Sequence, residues 1–167
     1  MYLCGKFHLN KRVMNREIEF RGQRCSDGKW VYGYYVESKT SWRGYKPHKS
    51  WIVSGAISNG GFFNILGRYA VNDDTVGQFV GLVDKNGVKI FEGDIVECVS
   101  WNEYFSKDGQ PMEQFRRKMY VDFRRGGFKM VEPMPEPMKD NEWDIIYNGD
   151  IVVIGNIHNN PELLATK

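Results

Sequence analysis

The chain has little of what most catalytic and metal centres are built from. Its 167 residues hold three histidines and three cysteines. His8, His48 and His158 lie far apart, and no Cys or His stands at zinc-ligand spacing from any of them. His158 therefore reads as a surface or cap-proximal residue. Cys4, Cys25 and Cys98 are odd in number, widely separated and without a Cys-x-x-Cys. This reads as free thiols in a reducing cytoplasm. Cys98 has no visible base beside it and reads as a small buried apolar side chain. No apolar run approaches the roughly 20 residues that cross a bilayer. The N-terminus has basic residues but no apolar signal core, so neither a leader nor a membrane partner is expected. A formal charge of +2 is too small to imply a nucleic-acid or anionic-membrane partner by itself. There is no Gly-x-Ser-x-Gly, phosphate-binding loop or dinucleotide fingerprint. Gly60-Gly61 and Gly126-Gly127 lack the Lys-Ser/Thr that a phosphate-binding loop needs. No cofactor or metal is expected.

What the chain does have is aromatic residues at 14% and eighteen glycines, a composition of strands joined by tight turns. Thr75 to Val99 organises the rest. Asp84-Lys85-Asn86-Gly87 sits between two apolar runs, and Asn-Gly is a strong hairpin signal because both residues tolerate positive φ. Phe91-Glu92-Gly93-Asp94 is a second turn, and Ile95 to Val99 reads as a strand of β-branched residues.

The remaining chain falls into place around this stretch. Residues 1–13 read as an extension. Arg16 to Arg21 alternates, which predicts a half-buried strand with Ile18 and Phe20 inward, ended by Gly22. After the turn Ser26-Asp27-Gly28-Lys29, Trp30 to Val36 should pair with it as a hairpin. Residues 37–50 read as a loop, Trp51-Ile52-Val53 as a short strand and 54–61 as a loop. Phe62 to Leu66 and Tyr69 to Val71 read as an apolar strand broken at Gly67. Asn72 to Thr75 is a turn. Residues 101–114 are polar with turn chemistry. Phe115 to Phe123 alternates, with Phe115, Met119, Val121 and Phe123 on one face and Arg116, Lys118, Tyr120, Asp122 and Arg124 on the other. Phe128 to Val131 returns as its hairpin partner. Glu132 to Glu142 carries three prolines and reads as an exposed loop. Trp143 to Tyr147 and Ile151 to Ile157 are the last strands. Asn160-Pro161-Glu162-Leu163-Leu164 predicts a short C-terminal helix capped by Asn160. Glu92-Gly93-Asp94-Ile95-Val96 recurs as Asn148-Gly149-Asp150-Ile151-Val152, which reads as convergent turn chemistry rather than a true repeat.

Several of these blocks together carry a family resemblance. They are Met14 to Arg21, Thr75 to Phe79, Gly81-Leu82, Asp84 to Gly87, Ile90 to Val96, Val153 to His158 and Asn160 to Leu164. In this order the chain resembles the YopX protein family of bacteriophages and prophages. Residues 37–70 and 102–114 are longer than that family's usual spacers. The resemblance implies a phage-encoded, predominantly β protein with compact barrel-like parts and a tendency to self-associate. It implies no established activity and supplies no catalytic residues.

The expected fold is mainly β, with antiparallel sheets, a small SH3-like or Greek-key barrel-like unit and a short C-terminal helix; a sheet-rich α+β fold is the alternative. The division is an N-terminal extension at 1–13, a β-meander with long loops at 14–71 and the barrel-like unit at 72–167, or one continuous domain over 14–167.

Three functions are weighed. The first is a non-catalytic phage or prophage accessory protein, a homo-oligomer that binds a host or phage protein. The aromatic strand Trp30 to Val36 could form its interface core. The second is nucleic-acid binding through a basic hairpin carrying Arg116, Lys118, Tyr120, Arg124, Arg125 and Lys129, with Arg117 and Phe128 among them. Against it stands a solvated strand face whose charges guard an edge, with Asp122 and the acidic 132–144 segment neutralising it. The third is an uncharacterised hydrolase, with Gln78, Glu92 and Asp94 as ligand-binding candidates. Against it, Asp84 and Asp94 read as turn residues that accept backbone N–H bonds, and the Gln78 amide as satisfying backbone groups, with Gly77 and Gly81 admitting another backbone closely.

Overall fold

The computed structural model describes residues 17–38, 49–54, 67–101, 114–135, 137–145 and 151–165. The expectations for 1–13, for 39–48, 55–66 and 102–113, and for the Asn148-Gly149-Asp150 copy lie outside the described residues.

Eleven strands are described, all paired antiparallel: β1 Phe20–Gln23, β2 Trp30–Glu37, β3 Ser50–Ser54, β4 Gly67–Val71, β5 Gly77–Val83, β6 Lys89–Phe91, β7 Asp94–Trp101, β8 Gln114–Arg124, β9 Gly127–Glu132, β10 Asn141–Asp144 and β11 Val152–Asn156. They form a six-stranded sheet, β4-β3-β2-β1-β5-β6, and a five-stranded sheet, β10-β9-β8-β7-β11. The mainly antiparallel β reading holds. Phe20↔Gln78 and Arg21↔Gly77 join β1 to β5, so the first sheet runs across the expected 71/72 division.

The β5–β6 hairpin supplies one wall of the main core. Val80 and Ile90 pack with Val96, Met119, Val121, Met130, Ile145 and Ile151 of the second sheet and its flanks. Full burial of each such side chain is worth about 1.5–3 kcal/mol, so this layer is what joins the two sheets. This hairpin is thereby laid over the five-stranded sheet.

Three turns show how local chemistry sets the register. Asp84 accepts bonds from the N–H groups of Asn86 (2.8 Å) and Val88 (2.9 Å) at Oδ1 and from Val153 N–H (3.1 Å) at Oδ2. The turn reading of Asp84 is therefore right, and its carboxyl also ties the loop to β11. Of the Asn86-Gly87 pair, Gly87 alone takes positive φ (81°), which makes a three-residue loop rather than the tight two-residue turn. At the β8–β9 tip both loop residues have positive φ, Arg125 at 52° and Gly126 at 80°. That is the primed hairpin turn, and an L-residue other than glycine there carries a strain of roughly 1–2 kcal/mol. Gly77 does admit a close backbone, since a Cβ there would stand 2.4 Å from the Glu92 carbonyl oxygen. Gly81 differs: it has φ 90° and open space around it.

Two N-terminal and C-terminal expectations need correction. The first strand begins only at Phe20, Gly22 lies inside it, and Ile18 is 55% exposed instead of inward. The C-terminal helix is a four-residue 3-10 turn, Pro161–Leu164, without a side-chain cap bond. The Asn160 Oδ1 instead accepts from Asn156 N–H at 3.4 Å.

Candidate functional site

The site begins with a salt bridge that connects the sheets. Arg21 of β1 is 6% exposed and Asp94 of β7 is 1% exposed, and their Nη2–Oδ1 distance is 2.6 Å. The guanidinium also donates to the Glu92 carbonyl at 3.2 Å, and it lies 4.6 Å from the Trp30 ring centroid and 5.0 Å from that of Phe91. The other Asp94 oxygen accepts from Phe91 N–H at 2.8 Å. Burial pushes the Asp94 carboxyl above the usual carboxylate range, while the Arg21 charge and the Phe91 N–H oppose that rise. The polar–apolar alternation misplaced Arg21 because a buried counter-ion and two aromatic faces let a guanidinium sit inward.

The aromatic residues of β2 climb out of this anchor. Trp30 is half-buried, Tyr32 is exposed with its ring 5.5 Å from that of Phe91, and Tyr34 is 64% exposed. Val36 continues the row into solvent. Gly33 sets the geometry. At φ 156° its missing Cβ would stand 2.2 Å from the Val53 carbonyl oxygen, and here β2 passes from pairing with β1 to pairing with β3. Any side chain would collide with the neighbouring backbone.

Two clefts flank the row and share Glu19. One, of about 360 Å³, is lined by Glu19, Arg21, Tyr32, Val88, Lys89, Phe91, Asp94 and Val153. The other, of about 380 Å³, is lined by Glu17, Ile18, Glu19, Gly33 and Tyr34. Between them Lys89 Nζ contacts Glu17 Oε1 at 2.6 Å and Glu19 Oε2 at 2.8 Å. Those hydrogen bonds raise the Lys89 ammonium above its ordinary value. Ile18, Tyr32, Tyr34 and Val88 are all exposed around this ion cluster, and Val36 is exposed further along β2. Large apolar side chains grouped on one face mark an interaction surface more than scattered ones do.

The ligand candidates separate. Asp94 borders the first cleft but is held by Arg21 and Phe91. Glu92 N–H donates to the Gln78 carbonyl at 2.9 Å, so these two are joined through their backbones. Neither lines that cleft. Burial raises the half-buried Glu92 carboxyl, opposed first by its bond to Gln78 N–H. His158 lies with its ring centroid 6.1 Å from that of Trp30, and burial, together with the Arg21 charge, lowers its imidazole below the usual value. Cys98 is half-buried against the core, and burial raises its thiol. Among the described residues no three His, Cys, Asp or Glu side chains gather as a metal site, and no helix is long and apolar enough to cross a membrane.

The basic hairpin is brought together on β8 and β9, and most of its cations face carboxylates. Arg116 contacts Glu97 at 2.8 Å and Arg117 contacts Glu132 at 3.0 Å. Arg124 contacts Asp122 at 2.8 Å, Glu142 at 3.2 Å and Asp140 at 3.5 Å, and it donates to the Tyr120 hydroxyl at 2.7 Å. Arg125 lies 3.6 Å from Glu142, and Lys129 pairs with Asp144. Lys118 is exposed. Phe123, placed by alternation on the apolar face, is exposed near the tip with its ring 5.3 Å from that of Phe128.

Sequence reasoning missed Arg21, Lys89 and Glu17. The signal was present in the charges around Ile18, but the pairing that groups them with Lys89 spans some seventy positions.

The family model described as YopX protein matches residues 19–165. No curated protein matches the chain. Among solved structures, the crystal structure of protein EF1440 from Enterococcus faecalis is similar, at 23% identity and a TM-score of 0.45, over 89% of this chain and 99% of that one.

Proposed function

The chain belongs to the YopX protein family, and on that premise we propose that it is a non-catalytic protein-interaction module that works as a homo-oligomer. Its working surface is the exposed face of β2 with Ile18 and Val88. The observation that carries this reading is the row Tyr32, Tyr34 and Val36 held in solvent beside two clefts. Tyrosine offers a large contact area at little conformational cost, which favours it in interface cores. The row is held in place by its neighbours: Gly33 lets β2 run close against β3, and Arg21, the cross-strand partner of Tyr32, is tied to Asp94. A rigid platform loses little entropy when it is covered.

A phage or prophage setting, a host or phage protein as an additional partner and a cytoplasmic location belong to the same proposal. The nucleic-acid reading is the weaker one, because Arg116, Arg124 and Lys129 already face carboxylates that a phosphate backbone would have to displace.

The test is sedimentation velocity on the full chain and on Tyr34→Glu over a concentration series. The proposal expects concentration-dependent assembly of the wild type and its loss in the variant, with unchanged thermal unfolding of the protomer. Assembly that ignores Tyr34→Glu would place the working surface elsewhere.

A further inference from the structure

The occupant of the second cleft is suggested by another part of the same molecule. The cleft presents Glu17, Glu19, Ile18 and Tyr34 around Gly33. Among the described residues its two carboxylates share a single ammonium, Lys89. One negative charge is left over, and a guanidinium would complete the set, with a bidentate bond to a carboxylate and the Tyr34 face as a further contact.

The β8–β9 tip presents the complementary group. Arg125 has its side chain 82% exposed, and its one carboxylate contact among the described residues, Glu142, lies at 3.6 Å and is shared with Arg124. Exposed pairs of this kind contribute little, so Arg125 is easily redirected. Its backbone stands in the left-handed region at φ 52°, where an asparagine or glycine would fit with less strain. A strained non-glycine residue at an exposed tip points to a use outside the protomer. Beside it, exposed Phe123 offers an apolar ring that Ile18 and Tyr34 could cover.

We propose that the Arg125 tip of one copy docks into the Glu17–Glu19–Tyr34 cleft of a second copy, with Phe123 packed on Ile18. This rests on the interaction reading above and names its partner surface. The two surfaces are different patches of one chain, so the contact is head-to-tail and builds a ring, or a filament if the rotation does not close. Opposite charges at its centre make it weaken as salt is raised.

The experiment is a charge exchange read by native mass spectrometry and sedimentation velocity on the full chain. Glu17 and Arg125 are both exposed, so each variant is expected to keep the wild-type melting curve. Arg125→Glu alone and Glu17→Arg alone should each weaken assembly by about tenfold or more, and the double variant should restore it. If Arg125→Glu assembles like the wild type while Tyr34→Glu does not, the tip is not the occupant and only this inference fails. If the double variant stays dissociated, the pairing of these two residues is overturned. A wild type that remains monomeric at every concentration overturns both this contact and the oligomer reading.

Discussion

On the five-stranded sheet Arg116, Arg124 and Lys129 each meet a carboxylate from the same or a neighbouring strand, whereas on the six-stranded sheet β2 leaves Tyr32, Tyr34 and Val36 uncovered. Both are strand surfaces of one molecule, finished by different chemistry. Ion pairs across a sheet keep it wet and discourage contact, since a partner must displace them. Exposed aromatic residues beside clefts favour contact. A basic run in sequence is therefore no measure of free positive charge: the carboxylates that answer it come from β7, β8 itself, β9, β10 and Asp140. The two regions meet at Arg21–Asp94, one residue from each sheet.

The comparison breaks most severely at that junction. Asp94→Ala leaves the Arg21 guanidinium buried without its counter-ion, and a loss of about 3–5 kcal/mol is expected in urea unfolding. A loss under about 1 kcal/mol would show that the pair adds little to the apolar layer that joins the sheets.

Next in size is Asp84, whose carboxylate links the β5–β6 loop to β11. Burial acts to raise its carboxyl, but the bonds from Val88, Val153 and Asn86 N–H outweigh burial and hold it below the ordinary value. A lowered folded value means that the unfolded chain takes up the proton first. The stabilisation is therefore full above the ordinary carboxylate value and fades as pH falls through the folded one. Asp84→Asn should cost about 1.5–3 kcal/mol at neutral pH. The gap from wild type should narrow below about pH 4. A gap that is constant with pH would contradict the charge-based account.

Tyr34→Glu sharpens the contrast between the faces. It should leave protomer stability within about 0.5 kcal/mol while weakening association by about tenfold or more. The smallest effect is expected on the paired face, where Arg116→Ala should change stability by less than about 1 kcal/mol and leave association unchanged. An association defect in Arg116→Ala would show that the paired face takes part in assembly.

Much of the fold was legible because its signals are local. The Asp84 to Gly87 loop, the Phe91 to Asp94 turn, the Trp30 to Val36 strand and the alternation of β8 follow from turn chemistry and period two. Asp84 was legible as a turn residue for the same reason. The site was less so. Arg21 and Ile18 exchanged places with respect to the alternation because Asp94, seventy-three positions on, supplies a buried counter-ion. The Lys89–Glu17–Glu19 cluster is non-local in the same way. Asn160 was read as a cap from its residue type, but its side chain bonds to Asn156 and the helix stops after one 3-10 turn.

Sedimentation equilibrium on the wild-type chain and on Tyr34→Glu, at matched concentrations and low salt, asks whether the β2 face holds an assembly together. The wild type should form a reversible oligomer and the variant should be a folded monomer. An identical assembly in both, or a wild type that stays monomeric throughout, would contradict this.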